Sequence, residues 1–150
     1  MKLLVNKKAN FDYQIQKTFQ AGVSLSGAEV KSLRNKSGSL AGSYVKVISG
    51  EVFLLGSQIT PYKFADNTEY DPKRTRKLLL KKKEIVEMIG YTEKKGWSLV
   101  PLSFELVRNK IKLNIGLGKG KKEFEKRASL KSKAIKKDID RHIKDRLYIK

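Results

Sequence analysis

The side chains able to do chemistry are few and poorly spaced for it. The one histidine, His142, sits among Asp140, Arg141 and Lys144. An imidazole working as a general base needs a nucleophile or an orienting carboxylate within hydrogen-bond reach, and the sequence places no such cluster beside it. Ser43-Tyr44-Val45-Lys46 has the Ser-x-x-Lys spacing of acyl-transfer enzymes. It falls on an expected strand, where Ser43 and Lys46 point to opposite faces, and the companion motifs are missing. Gly116-Leu117-Gly118-Lys119-Gly120-Lys121-Lys122 resembles a phosphate-cradling loop but lacks the P-loop spacing and the Ser or Thr after its lysine. It reads as a flexible basic hinge whose amides can approach phosphates. Asp66, Glu69 and Asp71 could hold magnesium in principle, although a loop of mixed acids is more often simply solvated. With no cysteine and a single histidine, thiol catalysis, disulfides, cysteine-ligated zinc and multi-histidine metal sites are excluded. The expectation is a protein that is not an enzyme, with no metal and no cofactor.

What remains is charge. Lys plus Arg number 34 against 15 Asp plus Glu, a net of +19, with a pI near 10.1. Self-repulsion at this level opposes a compact state unless a polyanion relieves it. The partner is therefore nucleic acid or an anionic membrane. No stretch approaches the roughly 18 consecutive apolar residues of a membrane span, and Met1–Lys8 lacks the apolar core and cleavage site of a secretory signal. The composition suits a cytoplasmic protein. Lys31, Arg34 and Lys36 lie on or just beyond an expected first helix. Lys73-Arg74-Thr75-Arg76-Lys77 precedes Leu78-Leu79-Leu80 and then Lys81-Lys82-Lys83. Such a segment can contact phosphates while apolar side chains pack on a splayed base. Alternatively, the triplet is a core strand and the charges a solvated face. At +19 the nucleic-acid reading is preferred.

The elements that must position these residues are mostly strands. One hundred and fifty residues make one domain, or one with an appendage, and 39% hydrophobic residues supply an ordinary core. The chain changes character near Gly118: residues 119–150 carry 13 basic and 5 acidic residues, a net of +8. Residues 1–118 read as a folded domain and 119–150 as a basic tail. In the first part, Tyr44–Ile48 and Val52–Leu55 flank a Gly-containing link, a hairpin signal. Leu99–Val107 and Ile111–Ile115 flank a second link, with Ile111, Leu113 and Ile115 alternating with Lys112 and Asn114 in the period-2 pattern of a half-buried strand. Asp12 to Leu25 is mainly strand. Ser26-Gly27-Ala28-Glu29 is a capping box opening a short helix. A second helix spans about Lys81 to Lys95, with Ile85, Met88 and Ile89 on one face. The sum is a mainly β chain: a small antiparallel barrel with two to three helices. In the tail, Ile135, Ile139, Ile143 and Leu147 recur every four residues among Lys131, Lys136, Lys137, Arg141 and Lys144. So thin a stripe either stays solvated or folds on an RNA surface.

Three segments carry a resemblance: Gly27-Ala28-Glu29-Val30-Lys31-Ser32-Leu33-Arg34, Asp71-Pro72-Lys73-Arg74-Thr75-Arg76-Lys77-Leu78-Leu79-Leu80 and Gly116-Leu117-Gly118-Lys119-Gly120-Lys121-Lys122, with Ile59-Thr60-Pro61-Tyr62 between the first two. In order and spacing they resemble the signature segments of the bacterial SsrA-binding protein (small protein B) family, over essentially the whole chain. The resemblance implies an OB-like antiparallel barrel with a tail that is disordered when free. It implies a monomer that binds the tRNA-like domain of transfer-messenger RNA in place of a missing anticodon arm. The tail would enter the empty messenger channel of a stalled ribosome and become helical there, permitting trans-translation. Carried over by position, the RNA-binding residues would be Gln20, Leu79, Lys81 and Lys112, supported by Lys31, Arg34, Arg74, Arg76 and Lys77. The decoding-site tail would be Phe124, Glu125, Lys126 and Arg127, followed by Ile135, Ile139 and Ile143. Four positions depart from the family's usual residues: Gln20 stands for Glu, Phe11 for His, Glu125 for Asp, and Phe124 for His or Tyr. A basic structural protein of the ribosome is the alternative from another class.

Overall fold

The alternating segments form strands and the capped segments form helices in the computed structural model, which describes residues 1–120. The order is β1 (Lys2–Val5), α1 (Ala9–Asp12), β2 (Tyr13–Val23), α2 (Gly27–Arg34), β3 (Gly38–Ser39), β4 (Tyr44–Ile48), β5 (Glu51–Leu55), β6 (Gln58–Ile59), β7 (Arg76–Leu79), α3 (Lys82–Thr92), β8 (Trp97–Val107) and β9 (Lys110–Gly120). One antiparallel sheet runs β1-β8-β9-β2-β7-β5-β4, and β3 pairs with β6 apart from it. Both expected hairpins form, each on a two-residue turn. Ser49 and Gly50 in one, and Arg108 and Asn109 in the other, all have positive φ, the geometry whose twist matches that of the flanking strands.

Strand alternation sorts side chains to two faces. Phe19 and Ala21 of β2, Leu78 of β7, Phe104 of β8, and Leu113 and Ile115 of β9 are buried in one core, which Leu33 of α2 and Met88 of α3 also enter. The sheet curls until β4 lies against β8, but no ladder joins those two strands. Val45, Val47, Leu99 and Val100 line the cleft between them, so side chains rather than backbone close this OB-like barrel. Pro101, which has no N–H to give a ladder, is accommodated where the β8–β9 register shifts between Pro101 and Ser103.

Several expectations need correction. Gly116–Gly120 is not a hinge: β9 runs through it, pairing with β2 as far as Tyr13↔Gly120 and with β8 as far as Trp97↔Lys119. The strand therefore continues two residues past the boundary read at 118. Asp12 ends α1 rather than starting a strand, and α3 stops at Thr92 instead of Lys95. The short apolar start is an edge strand whose Leu3 is buried. The Leu78–Leu80 triplet divides between the two readings, with Leu78 in the core and Leu79 56% exposed. Ser43 lies just before β4, and its hydroxyl donates to the Leu40 carbonyl at 2.6 Å. The tail residues named above, His142 among them, lie outside the described residues.

Two of the former hinge's three glycines, Gly116 and Gly118, have a packing reason. A Cβ on Gly118 would meet the Gln14 carbonyl oxygen at 2.5 Å, too close for backbone atoms that cannot rotate away. Gly118→Ala is expected to prise β9 from β2 and cost about 2 kcal/mol or more. Gly120→Ala, whose Cβ would meet nothing within 4 Å, should stay within about 0.5 kcal/mol of the parent. Urea denaturation of the two variants checks this pair, and equal midpoints would refute it.

Candidate nucleic-acid interface

The outer face of the sheet gathers residues from four strands. Leu79 of β7 sits opposite Gly22 of β2, which sits opposite Lys112 of β9, which sits opposite Glu105 of β8. Directly opposed residues share a face, so these form one row across the sheet. Gln20, Asn114 and Ser103 form the next row. Gly22 matters here because it has no side chain: a Cβ there would approach Leu79 Cβ at 3.3 Å, and its absence lets Leu79 lie down over β2.

The second row is tied together by hydrogen bonds. Gln20 Nε2 donates to Asn114 Oδ1 at 3.2 Å and to Glu105 Oε1 at 3.4 Å. Asn114 Nδ2 donates to Ser103 Oγ at 3.0 Å and to Glu105 Oε1 at 3.3 Å. A carboxylate is thus present beside Gln20 even though Gln20 carries none. The alternation around Lys112 places Asn114 on this face, but Glu105 and Ser103 could not be assigned to it without the register. Lys77 is on the exposed side of β7, where it pairs with Glu51 at 3.2 Å. Lys81 is exposed just before α3, and its backbone N–H donates to Glu84 Oε1 at 3.1 Å. The structure therefore brings Gln20, Lys77, Leu79 and Lys112 onto one face. Lys31 and Arg34 are exposed on α2 instead.

Arg74 and Arg76 have a different position from the one expected. Ser26 and Glu29 form the capping box of α2, with Glu29 N donating to Ser26 Oγ at 3.2 Å and Ser26 N to Glu29 Oε1 at 3.0 Å. The same Glu29 carboxylate receives Arg76 Nε at 2.9 Å and Arg76 Nη2 at 2.6 Å, and Arg74 Nε at 3.1 Å. Arg76 also donates to the carbonyls of Ser57, Arg74 and Pro72 and to the Tyr70 hydroxyl. Its side chain is 0% exposed. Arg76 as a phosphate contact is therefore corrected: strand alternation turns it inward with Leu78, and its donors are spent on the fold. Arg74 keeps a side chain 37% exposed while holding Glu29.

Burial by itself pushes the Glu29 carboxyl up. Hydrogen bonds from Arg74, the Ser26 amide and Arg76 outweigh it and bring the pKa from 4.5 down to about 2. The Tyr70 hydroxyl is pushed up, first by its own burial and then by the Glu29 charge. This cluster fixes α2 and the 60–75 segment against β7, so it sets where the basic residues of both stand. Among the described residues no group of three or more His, Cys, Asp or Glu could hold a metal ion, and no helix is long and apolar enough to cross a membrane.

The chain is similar to known proteins over nearly all its length. The family model described as SmpB protein matches residues 3–145. The SsrA-binding protein of Macrococcus caseolyticus is 44% identical over 144 residues, covering 96% of this chain and 94% of that protein. The SsrA-binding protein of Listeria monocytogenes serovar 1/2a is 46% identical over 141 residues, covering 94% and 92%. Among solved structures, a chain from "tmRNA-SmpB: a journey to the center of the bacterial ribosome" superposes with a TM-score of 0.68 at 40% identity, covering 82% of this chain and 87% of that one. A barrel that presents one exposed leucine among lysines, with a family match over nearly all its length, leaves one assignment: this chain belongs to the SmpB protein family.

Proposed function

We propose that the chain binds transfer-messenger RNA and brings it to stalled ribosomes for trans-translation. The observation that carries the reading is the row Leu79–Gly22–Lys112, an apolar residue and a basic one on the same open sheet face with a glycine between them. Lys112 supplies charge to a phosphate, and Leu79 offers an apolar surface that water solvates poorly. The contact is to the tRNA-like domain of the RNA, with Gln20 and Lys81 beside it. The 121–150 segment then works in the messenger channel, with Phe124–Arg127 near the decoding centre. The work is binding and delivery, needs no catalytic residue, and takes place where ribosomes are, in the cytoplasm.

Two substitutions test the face by different physics. Lys112→Ala should weaken binding and lower the slope of log affinity against log salt by about 0.7 to 0.9, the release of one phosphate's counterions. Leu79→Ala should weaken binding by about fivefold or more, with the slope unchanged. Filter binding across a salt series reads both. Unchanged affinity in both variants would remove the site from this face. Equal affinity of the parent chain for transfer-messenger RNA and for ribosomal RNA fragments would favour a structural protein of the ribosome instead.

A further inference from the structure

Between β6 and β7 the chain exposes an aromatic side chain that the sheet-face reading does not use. Phe64 is 76% exposed, more than any other large apolar side chain among the described residues. Slack in the loop is not the cause. Asn67 Nδ2 donates to the Tyr62 carbonyl at 2.8 Å, Ala65 N donates to the same carbonyl at 3.1 Å, and Thr60 N donates to the Ser37 carbonyl at 3.2 Å. Further along, the Tyr70 hydroxyl reaches Glu29 at 3.1 Å. The segment is held at one end by Ser37, just beyond α2, and at the other by Glu29 of α2, yet it leaves the ring in water, where apolar area costs about 25 cal/mol per Å².

The ring's surroundings favour a flat anionic ligand. Tyr62 meets Phe64 edge to face, centroids 5.5 Å apart and planes at 69°. Lys63 Nζ lies 4.9 Å from the Phe64 centroid and Lys31 Nζ lies 5.5 Å from that of Tyr62. Ammonium groups at this range are drawn to the ring face and remain able to meet a phosphate. Of the loop's three acids, Asp66 accepts from Thr68 N at 3.1 Å and Asp71 from Lys73 N at 2.9 Å, while Glu69 is exposed. Beside the two rings lies a cleft of about 370 Å³ with Asn35 and Ser37 in its wall, which puts polar groups where a base edge would come.

We propose that Phe64, backed by Tyr62 and flanked by Lys31 and Lys63, stacks an unpaired base of the bound RNA. This rests on the reading that the chain binds RNA and adds to it a second contact of a different kind, on the α2 side of the domain rather than on the open sheet. Stacking accepts any base, because every base has a π face, so this contact adds affinity with little sequence preference. It also gives Lys31 a defined task, since its ammonium is already seated beside the ring system.

The test uses the full chain and transcribed transfer-messenger RNA. Phe64→Ala should lose about fivefold to a hundredfold in affinity with no change in salt slope. Phe64→Leu, apolar but without a π face, should lose most of the same amount, while Phe64→Trp should keep or gain affinity. On saturation with RNA, the Phe64→Trp protein should show fluorescence quenching beyond that of the parent, whose Trp97 supplies the background. Thermal unfolding of each variant separates a binding effect from a folding one. Parent-like affinity in Phe64→Ala, with the parent binding normally, overturns this inference alone and leaves the patch to a protein contact. Equal losses in the Leu and Trp variants, or no added quenching, overturn it too. A parent chain that does not bind transfer-messenger RNA overturns the RNA reading and this inference together.

Discussion

Arg76→Ala is expected to destabilise the protein by about 3–5 kcal/mol, because it leaves Glu29 ionised in a buried site with one of its two cations gone. Its effect on RNA binding should be indirect. The side chain is closed off from solvent, so the salt slope of binding should stay at the parent value for whatever fraction of the protein is folded. A lowered slope in a variant of parental stability would show that Arg76 reaches phosphate after all. Arg74→Ala is milder, since that side chain is partly open to water and Arg76 still holds the carboxylate. The same pair sets an acid limb in stability. Glu29 titrates near 4.5 when unfolded and near 2 when folded, so the unfolded chain takes up the proton first as pH falls. The stabilisation is fully present above about pH 4.5 and is lost progressively towards pH 2. Denaturation midpoints measured between pH 6 and pH 2.5 should fall along this limb. In Glu29→Gln the limb should flatten on a lower baseline. An unaltered limb in that variant would assign the acid sensitivity to other groups.

Truncation after Gly120 should separate folding and RNA binding from tagging. Met1–Gly120 is one compact unit and holds all nine strands of the described residues, so the shortened chain should unfold at the parent midpoint. It should still bind transfer-messenger RNA through Leu79 and Lys112, yet support no tagging in a translation reaction stalled on a message without a stop codon. The cut must not be made after Gly118. That cut would delete the pairing of Lys119 with Gln14 and Trp97, the pairing of Gly120 with Tyr13, and the Lys119 ammonium 5.1 Å from the Trp97 ring. The expected penalty is about 1–3 kcal/mol from a few hydrogen bonds and one cation–π contact. A chain ending at Gly120 that still tags would mean that Phe124–Arg127 and the Ile135, Ile139, Ile143 stripe are dispensable. In the full-length chain, Ile139→Pro with Ile143→Pro keeps the tail's charge and opposes a helix by about 3 kcal/mol per site. Loss of tagging in that variant would show that helix formation matters beyond charge.

Much of the barrel was legible because its signals are local. The Ser26–Glu29 capping box spans four residues and forms as read. The links at Ser49-Gly50 and Arg108-Asn109 turn their hairpins, and the alternation of Ile111, Leu113 and Ile115 with Lys112 and Asn114 put the right side chains in the core. Where local signals are ambiguous, the reading failed. Gly116 to Gly120 resembles a loop by composition, yet these residues are a strand because they pair with both β2 and β8, and at Gly118 the Gln14 carbonyl oxygen lies 2.5 Å from where a Cβ would stand.

By itself the sequence determined that this chain is a strongly basic, mainly β protein without the groups for thiol or multi-histidine metal chemistry, and its motifs determined the family. Net charge sums over the chain and needs no coordinates. Which cations remain available was decided only by the tertiary structure. Arg76 and Lys77 are neighbours in one basic run, and the run does not say that Arg76 must turn inward to a glutamate 47 residues earlier while Lys77 stays in water. The same holds for the row of Leu79, Gly22, Lys112 and Glu105, drawn from four strands and set side by side by register alone. The physical reason is that a strand's period sorts side chains to two faces, but only pairing with distant segments decides which face is sealed and which residues meet on the open one.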